Sequence, residues 1–285
     1  MINITGKTKQ LGLIGDPIEH SFSPRLHNFI SACLGADYVY SAWQVKSENL
    51  KNAIEGVRAL QISGINVTAP HKKEVIKYLD DVDDTAKILG SVNTIVNKDG
   101  HLKGYNTDSE GFYLALKSQG IEISGKKILT IGAGGVTVPT LMRIVKENPK
   151  SITLLNRTVK KAEDISKQIY EKTGYEIDTQ VKDLSFDIVI NTTSAGMAPQ
   201  LEALPTDAIA EIDSLDFITE TTAVVDMIYN PRQTKFLKEA SLRGAKTVNG
   251  LDMLIYQGIL AYELFTGVKV GNDLVCRIKS EVFGV

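Results

Sequence analysis

The sequence predicts an α/β protein built as two α/β domains, and three observations lead there. Short apolar runs bounded by turn residues alternate with segments of helical periodicity along the whole chain. Most of those runs are near-continuous, the pattern of strands in a parallel sheet covered on both faces. The 285 residues correspond to about two domains at roughly 150 residues each.

Taken in order, Leu11 to Ile14 reads as a strand ending at the turn Gly15-Asp16-Pro17, and Tyr38 to Val45 as a second. Leu50, Ala53, Ile54, Val57 and Leu60 recur at helical spacing. Ile65 to Thr68 is a strand stopped by Pro70; a helix is expected from Lys72 to Leu79, then a strand at Thr94 to Val96. Strands follow at Lys127 to Ile131 and Ser151 to Leu155, with a helix from Val136 to Glu147 between them. Pro139 is tolerable there because it falls in the first turn, where its missing N–H has no partner to lose. Ala162, Ile165 and Ile169 mark a further helix, and Asp187 to Ile190 and Ala223 to Asp226 further strands, all connected as βαβ units with right-handed crossovers. Helical segments from Leu251 to Phe265 and Asn272 to Val282 close the chain.

Composition excludes several classes. Hydrophobic content of 43% and charged content of 23% are ordinary for a globular chain. The net charge of -2 argues against a broad nucleic-acid surface, because counterion release needs a basic face. The longest apolar run, Phe112 to Leu116, is far too short to span a membrane. Met1-Ile2-Asn3-Ile4-Thr5-Gly6 lacks the layout of a signal peptide, so a cytoplasmic protein is expected. Cys33 and Cys276 are read as two reduced, packed thiols. His20, His27, His71 and His101 lack metal-ligand spacing, and no metal is expected; His71 stands out only for its place beside Lys72.

The sharpest local signal is Ile128-Leu129-Thr130-Ile131 running into Gly132-Ala133-Gly134-Gly135-Val136-Thr137. A strand, a glycine turn and a helix in that order form the context of a Rossmann-type dinucleotide fingerprint. Gly132 permits the tight turn, Gly134 lets the backbone approach a pyrophosphate, and the helix N-terminus favours the anion. Thr137 stands where a third glycine is usual, which would set the helix slightly farther out. An NAD site carries a carboxylate at the end of the next strand. Here that strand ends Asn156-Arg157-Thr158, with Lys160 and Lys161 behind. Arg157 can grip a 2′-phosphate in a bidentate contact and stack on an adenine, which favours NADP. Standing alone it would be an ordinary solvated strand-end charge.

Three segments in the first half carry unusual chemistry: Ser21-Phe22-Ser23-Pro24, Asn66 to Lys72, and Gly90 to Thr94 with Gly104 to Asp108. Each sits at or beyond a strand end, where open α/β sheets bind ligands. Hydroxyls, amides, one ammonium and one carboxylate suit a small polyhydroxylated substrate. The plainer readings are turn chemistry at Ser23-Pro24 and Asn106-Thr107-Asp108, and a helix-start lysine at Lys72.

With these motifs the sequence resembles the shikimate dehydrogenase family. The matching runs are Pro17 to Pro24, Asn66 to Lys72, Val92-Asn93-Thr94, Asn106-Thr107-Asp108, Gly132 to Gly135 and Asn156-Arg157-Thr158. Asn191 to Met197, Tyr229-Asn230-Pro231 and Gly250 to Gln257 follow in the same order. The resemblance implies that Lys72 and Asp108 are the catalytic pair. It implies that Ser21, Ser23, Thr68, Asn93, Asp108, Tyr229 and Gln257 contact the substrate. It implies that Gly132, Ala133, Gly134, Gly135, Val136, Asn156, Arg157, Thr158, Met227 and Gly250 contact NADP. It further implies a split layout: residues 1–108 with 250–285 as a substrate-binding domain whose sheet is mixed and mainly parallel, and 109–249 as a Rossmann-type NADP-binding domain, the last helices returning to the first. Val136 and Thr137, Ser109 and Asp252 depart from the family's small residues, and the stretch Ala198 to Thr222 is longer than in compact members.

The activity so implied is the reversible NADPH-dependent reduction of 3-dehydroshikimate to shikimate, in aromatic amino acid (chorismate) biosynthesis. Lys72 would supply the proton, with Asp108 holding the ammonium and the same hydroxyl. Whether burial lowers Lys72 from its usual pKa of about 10.4, making it a base in the reverse direction, or leaves it a donor stays open. Two alternatives stand beside this one: a quinate/shikimate dehydrogenase using NAD or NADP, which the Asn156 to Thr158 pattern disfavours, and a non-catalytic dinucleotide-binding sensor, which retention of both Lys72 and Asp108 disfavours. The expected partner is a small-molecule substrate, with no nucleic acid, no membrane and a possible homodimer.

Overall fold

The computed structural model describes residues 4–285. Met1, Ile2 and Asn3, and with them half of the stretch compared with a signal peptide, lie outside the described residues. The chain divides into two compact units: residues up to Thr107 together with Gln257–Val285, and Asp108–Tyr256.

The first unit carries β1 (Lys9–Gly15), α1 (Ser23–Leu34), β2 (Tyr38–Gln44), α2 (Leu50–Ala59), β3 (Gly64–Val67), β4 (Asp81–Val82), α3 (Asp84–Leu89), β5 (Thr94–Lys98) and β6 (His101–Tyr105). Its six strands lie in the order β2-β1-β3-β5-β6-β4. β1 pairs in parallel with β2 and β3, but β5 runs antiparallel to both β3 and β6. The β5–β6 hairpin turns at Asp99-Gly100, both with positive φ, the two-residue turn that Asp-Gly favours because its twist matches that of the strands. Helix boundaries follow local chemistry. Pro24 lies in the first turn of α1 and Gly35 ends it in the left-handed region. The Asp83 carboxylate accepts from the Ala86 N–H at 2.8 Å and so caps α3. Ile54 and Val57 of α2 pack on Ile65, Val67, Ile95 and Leu102 of the sheet, each such side chain contributing about 1.5–3 kcal/mol on burial.

The second unit carries α4 (Asp108–Ser118), β7 (Lys127–Ile131), α5 (Thr137–Val145), β8 (Ser151–Leu155), α6 (Val159–Thr173), β9 (Ile188–Asn191), β10 (Ala223–Asp226), α7 (Lys235–Leu242) and β11 (Lys246–Val248). Its sheet is parallel throughout, in the order β11-β10-β9-β7-β8. Strand order reverses beside β7, the switch point at which doubly wound sheets open a crevice. The long Ala198 to Thr222 stretch holds no long helix, yet Ile209, Ile212, Leu215 and Ile218 pack with Leu129, Val189, Val224 and Phe236, so irregular chain covers part of this sheet. α8 (Leu251–Thr266) then runs from the second unit into the first, followed by α9 (Asn272–Arg277) and a π-type turn over Ile278–Phe283.

Three expectations need correction. The helix expected from Lys72 to Leu79 is a short 3-10 segment over Glu74–Tyr78. An α-helix would need the Lys72 carbonyl to accept from Ile76, but it accepts from the Val92 N–H at 2.8 Å. Leu60 lies past the end of α2 and is 73% exposed, so it belongs to no buried stripe. Both cysteines are free; Cys33 is half-buried, in contact with the Arg277 side chain, but Cys276 is exposed rather than packed.

Candidate active site

In the first unit, the antiparallel β5 decides what meets at one sheet edge. Asn66, near the end of β3, is paired with Thr94 at the start of β5, and Thr94 with Tyr105 at the end of β6. The loops after β1, β3 and β6 and the segment before β5 therefore share that edge, bringing together the turns that bear Ser21 and Ser23, Thr68 and Lys72, Asn93, and Asn106-Thr107. Backbone bonds join them: Thr68 N–H donates to Ile14 O at 3.0 Å, Val67 N–H to Asn93 O at 2.9 Å and Asn93 N–H to Tyr105 O at 3.0 Å. Ser21, Ser23, Thr68 and Lys72 are half-buried. The Ser21 hydroxyl accepts from the Ser23 N–H at 3.2 Å. Gln257 lies half-buried on α8.

Behind this edge runs a buried network of neutral polar groups. Asn66 Nδ2 donates to the Asn93 carbonyl and to Thr94 Oγ1, both at 3.1 Å. A carbonyl only accepts, so the Asn66 amide orientation is fixed and its Oδ1 takes the Tyr40 phenol proton at 2.8 Å. The Tyr40 hydroxyl also bonds the Ser23 side chain. At the far end, Asn93 Oδ1 accepts from Thr94 Oγ1 and the Thr107 N–H, each at 2.9 Å. His27 stacks on Tyr40 with ring centroids 4.2 Å apart. Burial lowers its pKa to about 3, so it is neutral. His71 is buried with Nε2 2.6 Å from the Val45 carbonyl, a structural brace. Among the described residues no cluster of His, Cys, Asp or Glu could hold a metal ion.

In the second unit, Asp108 opens α4 and is 9% exposed; Lys72 belongs to the other unit. The remaining residues sit at the carboxyl edge of the parallel sheet. Gly132 has φ +118°, and a Cβ there would lie 2.7 Å from both Thr192 Oγ1 and Thr193 Cγ2, so only glycine fits. Its N–H donates to the Leu155 carbonyl at 2.8 Å, which seats the glycine loop beside Asn156-Arg157-Thr158. Gly134 and Gly135 are exposed, leaving their backbone open to an anion. A tight glycine cradle beside an exposed arginine fits a phosphorylated dinucleotide. Thr137 is fully buried, and its hydroxyl donates to the Gly132 carbonyl at 3.2 Å, so the missing third glycine is replaced by a satisfied hydroxyl. Asn156 Nδ2 holds the Thr158 carbonyl at 3.0 Å. Lys160 is turned to Asp164 of its own helix at 3.0 Å, while Arg157 and Lys161 stand exposed at that strand end. A Cβ at Gly250 would fall on the Met227 carbonyl, and the Gly250 N–H donates to Ile228 O at 3.0 Å, so Met227, Tyr229 and Gly250 are held together.

Sequence reasoning passed over Tyr40 and gave Asn66 and the run Asn191 to Met197 no role of their own. The last two lay in quoted motifs; Tyr40 reads as an ordinary strand aromatic.

Residues 13–95 match the model of the shikimate dehydrogenase substrate binding domain. Residues 113–237 match shikimate / quinate 5-dehydrogenase, and 250–271 the shikimate 5'-dehydrogenase C-terminal domain. The shikimate dehydrogenase (NADP(+)) of Methanocaldococcus jannaschii is 45% identical over 279 residues, covering 95% of this chain and 96% of that protein. A crystal structure of a shikimate dehydrogenase in complex with NADP+ superposes with a TM-score of 0.89 at 42% identity, covering 98% of each chain. The shikimate 5-dehydrogenase of Listeria monocytogenes, in complex with shikimate and NAD, gives a TM-score of 0.86 at 36% identity, over 96% of this chain and 97% of that one. The chain belongs to the shikimate dehydrogenase family.

Proposed function

We propose that this family member catalyses the reversible NADPH-dependent reduction of 3-dehydroshikimate to shikimate, a step of aromatic amino acid (chorismate) biosynthesis. The observation that carries the reading is similarity along nearly the whole chain to an NADP-dependent shikimate dehydrogenase, with Lys72 and Asp108 both present. When bound, NADPH supplies the hydride that reaches the substrate carbonyl carbon. Lys72 delivers the proton to the developing alkoxide, and Asp108 orients that ammonium and the same hydroxyl. Ser21 and Ser23 clamp the carboxylate, Thr68, Asn93, Tyr229 and Gln257 complete the substrate set, and the glycine loop, Asn156 to Thr158, Met227 and Gly250 hold the dinucleotide. In domain terms, residues 1–108 with 250–285 bind substrate and 109–249 bind NADP. The compartment proposed is the cytoplasm and the partner a small molecule rather than nucleic acid or membrane; no helix among the described residues is long and apolar enough to cross a membrane. A homodimer is the assembly to look for by light scattering.

A second reading, a quinate/shikimate dehydrogenase that also accepts NAD, draws on the neighbour solved with shikimate and NAD. Against it stands the exposed Arg157 beside the glycine loop, where an NAD site wants a carboxylate. The added hydroxyl of quinate, on the carboxylate-bearing carbon, would crowd the Ser21–Ser23 clamp at a cost of about 1–3 kcal/mol. Measuring kcat/KM for shikimate and quinate, each with NADP and NAD at one pH, decides. Shikimate with NADP is expected to lead, and quinate with NAD equalling it would move the assignment to the dual-specificity enzyme.

A further inference from the structure

At the ends of β9 and β10 lies a carboxylate for which the proposed chemistry has no use. Asp226 is fully buried, and its bonding partners are all neutral. Its Oδ1 accepts from Asn191 Nδ2 and from the Ile228 N–H, both at 3.0 Å, and its Oδ2 from Thr234 Oγ1 at 2.7 Å. Each contact ties down a different segment. Asn191 Oδ1 accepts from the Thr193 N–H at 2.9 Å and hydroxyl at 2.7 Å, fixing the turn whose Thr192 crowds Gly132. The Ile228 amide lies between Met227 and Tyr229, and its carbonyl holds Gly250. Thr234 caps α7 by accepting from the Leu237 N–H, so the helix start is anchored to the same carboxylate. Burying an unpaired carboxylate is costly, and burial pushes its pKa up to about 6. A fold that keeps such a group needs its three acceptor contacts more than it needs the charge.

We propose that Asp226 is a positioning residue that fixes the Met227–Tyr229 loop and the Thr192–Thr193 turn in register, and so sets how well the protein grips both dinucleotide and substrate. The inference rests on the assignment of Met227 and Tyr229 given above. Asn keeps the contacts from Asn191 and Ile228 through its Oδ1 and reverses the third, its Nδ2 donating to Thr234 Oγ1; Ala can make none.

The test is steady-state kinetics of Asp226→Ala and Asp226→Asn. Asp226→Ala should raise KM for NADP and for shikimate by ~10-fold each while kcat stays within ~3-fold, since no proton-transfer group sits on these loops. Asp226→Asn should stay within ~3-fold of the parent in both constants. In a Tyr229→Phe background the shikimate penalty of Asp226→Ala should shrink to less than ~3-fold, because the group being positioned is gone. Unchanged KM values in a folded Asp226→Ala protein, or an Asn variant as impaired as Ala, would overturn the proposal. Should Asp226→Ala not fold, Asn191→Leu cuts one tie at similar volume, and unchanged NADP and shikimate KM values there overturn it equally. If the parent does not turn over shikimate, the functional reading fails instead, and the NADP dissociation constants of parent and Asp226→Ala still decide this one.

Discussion

In the second unit every strand runs the same way, so the loops after β7, β8, β9 and β10 emerge on one edge by topology alone. What they offer there is largely backbone: the Gly132 cradle, the exposed Gly134 and Gly135, and the Gly250 approach to Met227. In the first unit β5 is reversed, so that edge mixes strand starts with strand ends and offers side chains tied through Tyr40, Asn66, Thr94 and Asn93. The difference matches the ligands proposed for each. A pyrophosphate is met by N–H groups and a dipole, whatever side chains surround them. Hydroxyls on a small ring need donors and acceptors of fixed orientation, and buried amides locked at both ends supply them.

One buried titratable group in each unit sharpens the contrast, because His27 and Asp226 respond to pH with opposite sign.

Replacing Lys72 strikes the chemical half of the first unit. Lys72→Ala should lower kcat by ~10²-fold or more with KM for shikimate changed less, as for a lost acid–base group. A variant retaining near-parental kcat would remove Lys72 from the catalytic pair.

His27 gives the first unit its pH signature. Its folded pKa, about 3, lies below the ordinary histidine value of 6.5, so the unfolded chain binds the proton first and stability falls as pH drops below about 6.5. By pH 4 the parent should have lost about 3 kcal/mol relative to His27→Phe, at roughly 1.4 kcal/mol per pH unit. Denaturant titrations of the pair from pH 4 to 8 read this directly, and parallel curves would contradict it.

Asp226 gives the second unit the reverse. Its folded pKa, about 6, lies above the ordinary aspartate value of 3.8, so its contribution is fully present below about pH 4 and is lost as pH rises through 6. Over that window the parent should weaken relative to Asp226→Asn by about 3 kcal/mol or somewhat less, then run parallel above pH 7. A gap that does not change with pH would show that the carboxylate titrates normally.

Arg157 tests whether the cofactor edge recognises anything beyond pyrophosphate. Arg157→Ala should raise KM for NADP by the equivalent of about 1.5–3 kcal/mol and leave NAD use almost unaltered. Equal losses with both cofactors would reduce Arg157 to a general structural residue.

Local pattern made much of this architecture legible. The strands at Lys127, Ser151 and Ala223 are readable because a parallel strand covered on both faces is a near-continuous apolar run between turn residues. The glycine loop is readable because its pattern of strand, Gly132-Ala133-Gly134-Gly135 and helix is local, although the approach of Thr192 and Thr193 that also demands glycine at 132 is not. Asp99-Gly100 announces the β5–β6 hairpin, but only Thr94 to Val96 reads as a strand, because more than half of β6 is polar or glycine. The segment from Lys72 to Leu79 misled because its helical spacing is real, while the carbonyl a helix needs is claimed by Val92, some 20 residues on.

By itself the sequence determined the residue types at the two edges, the order of strands and helices, and the family resemblance, all of which depend on neighbours within a few positions or on motif order. The tertiary structure decided which of those residues share a hydrogen bond. Tyr40 reaches Asn66 across 26 residues and Asn191 reaches Asp226 across 35. Neither link has a spacing rule, because sheet pairing brings together segments whose separation along the chain is set by whatever helix or loop intervenes. For the same reason the charge on Asp226 is ordinary in the sequence and unusual in the fold: only packing from several segments can take a carboxylate out of water.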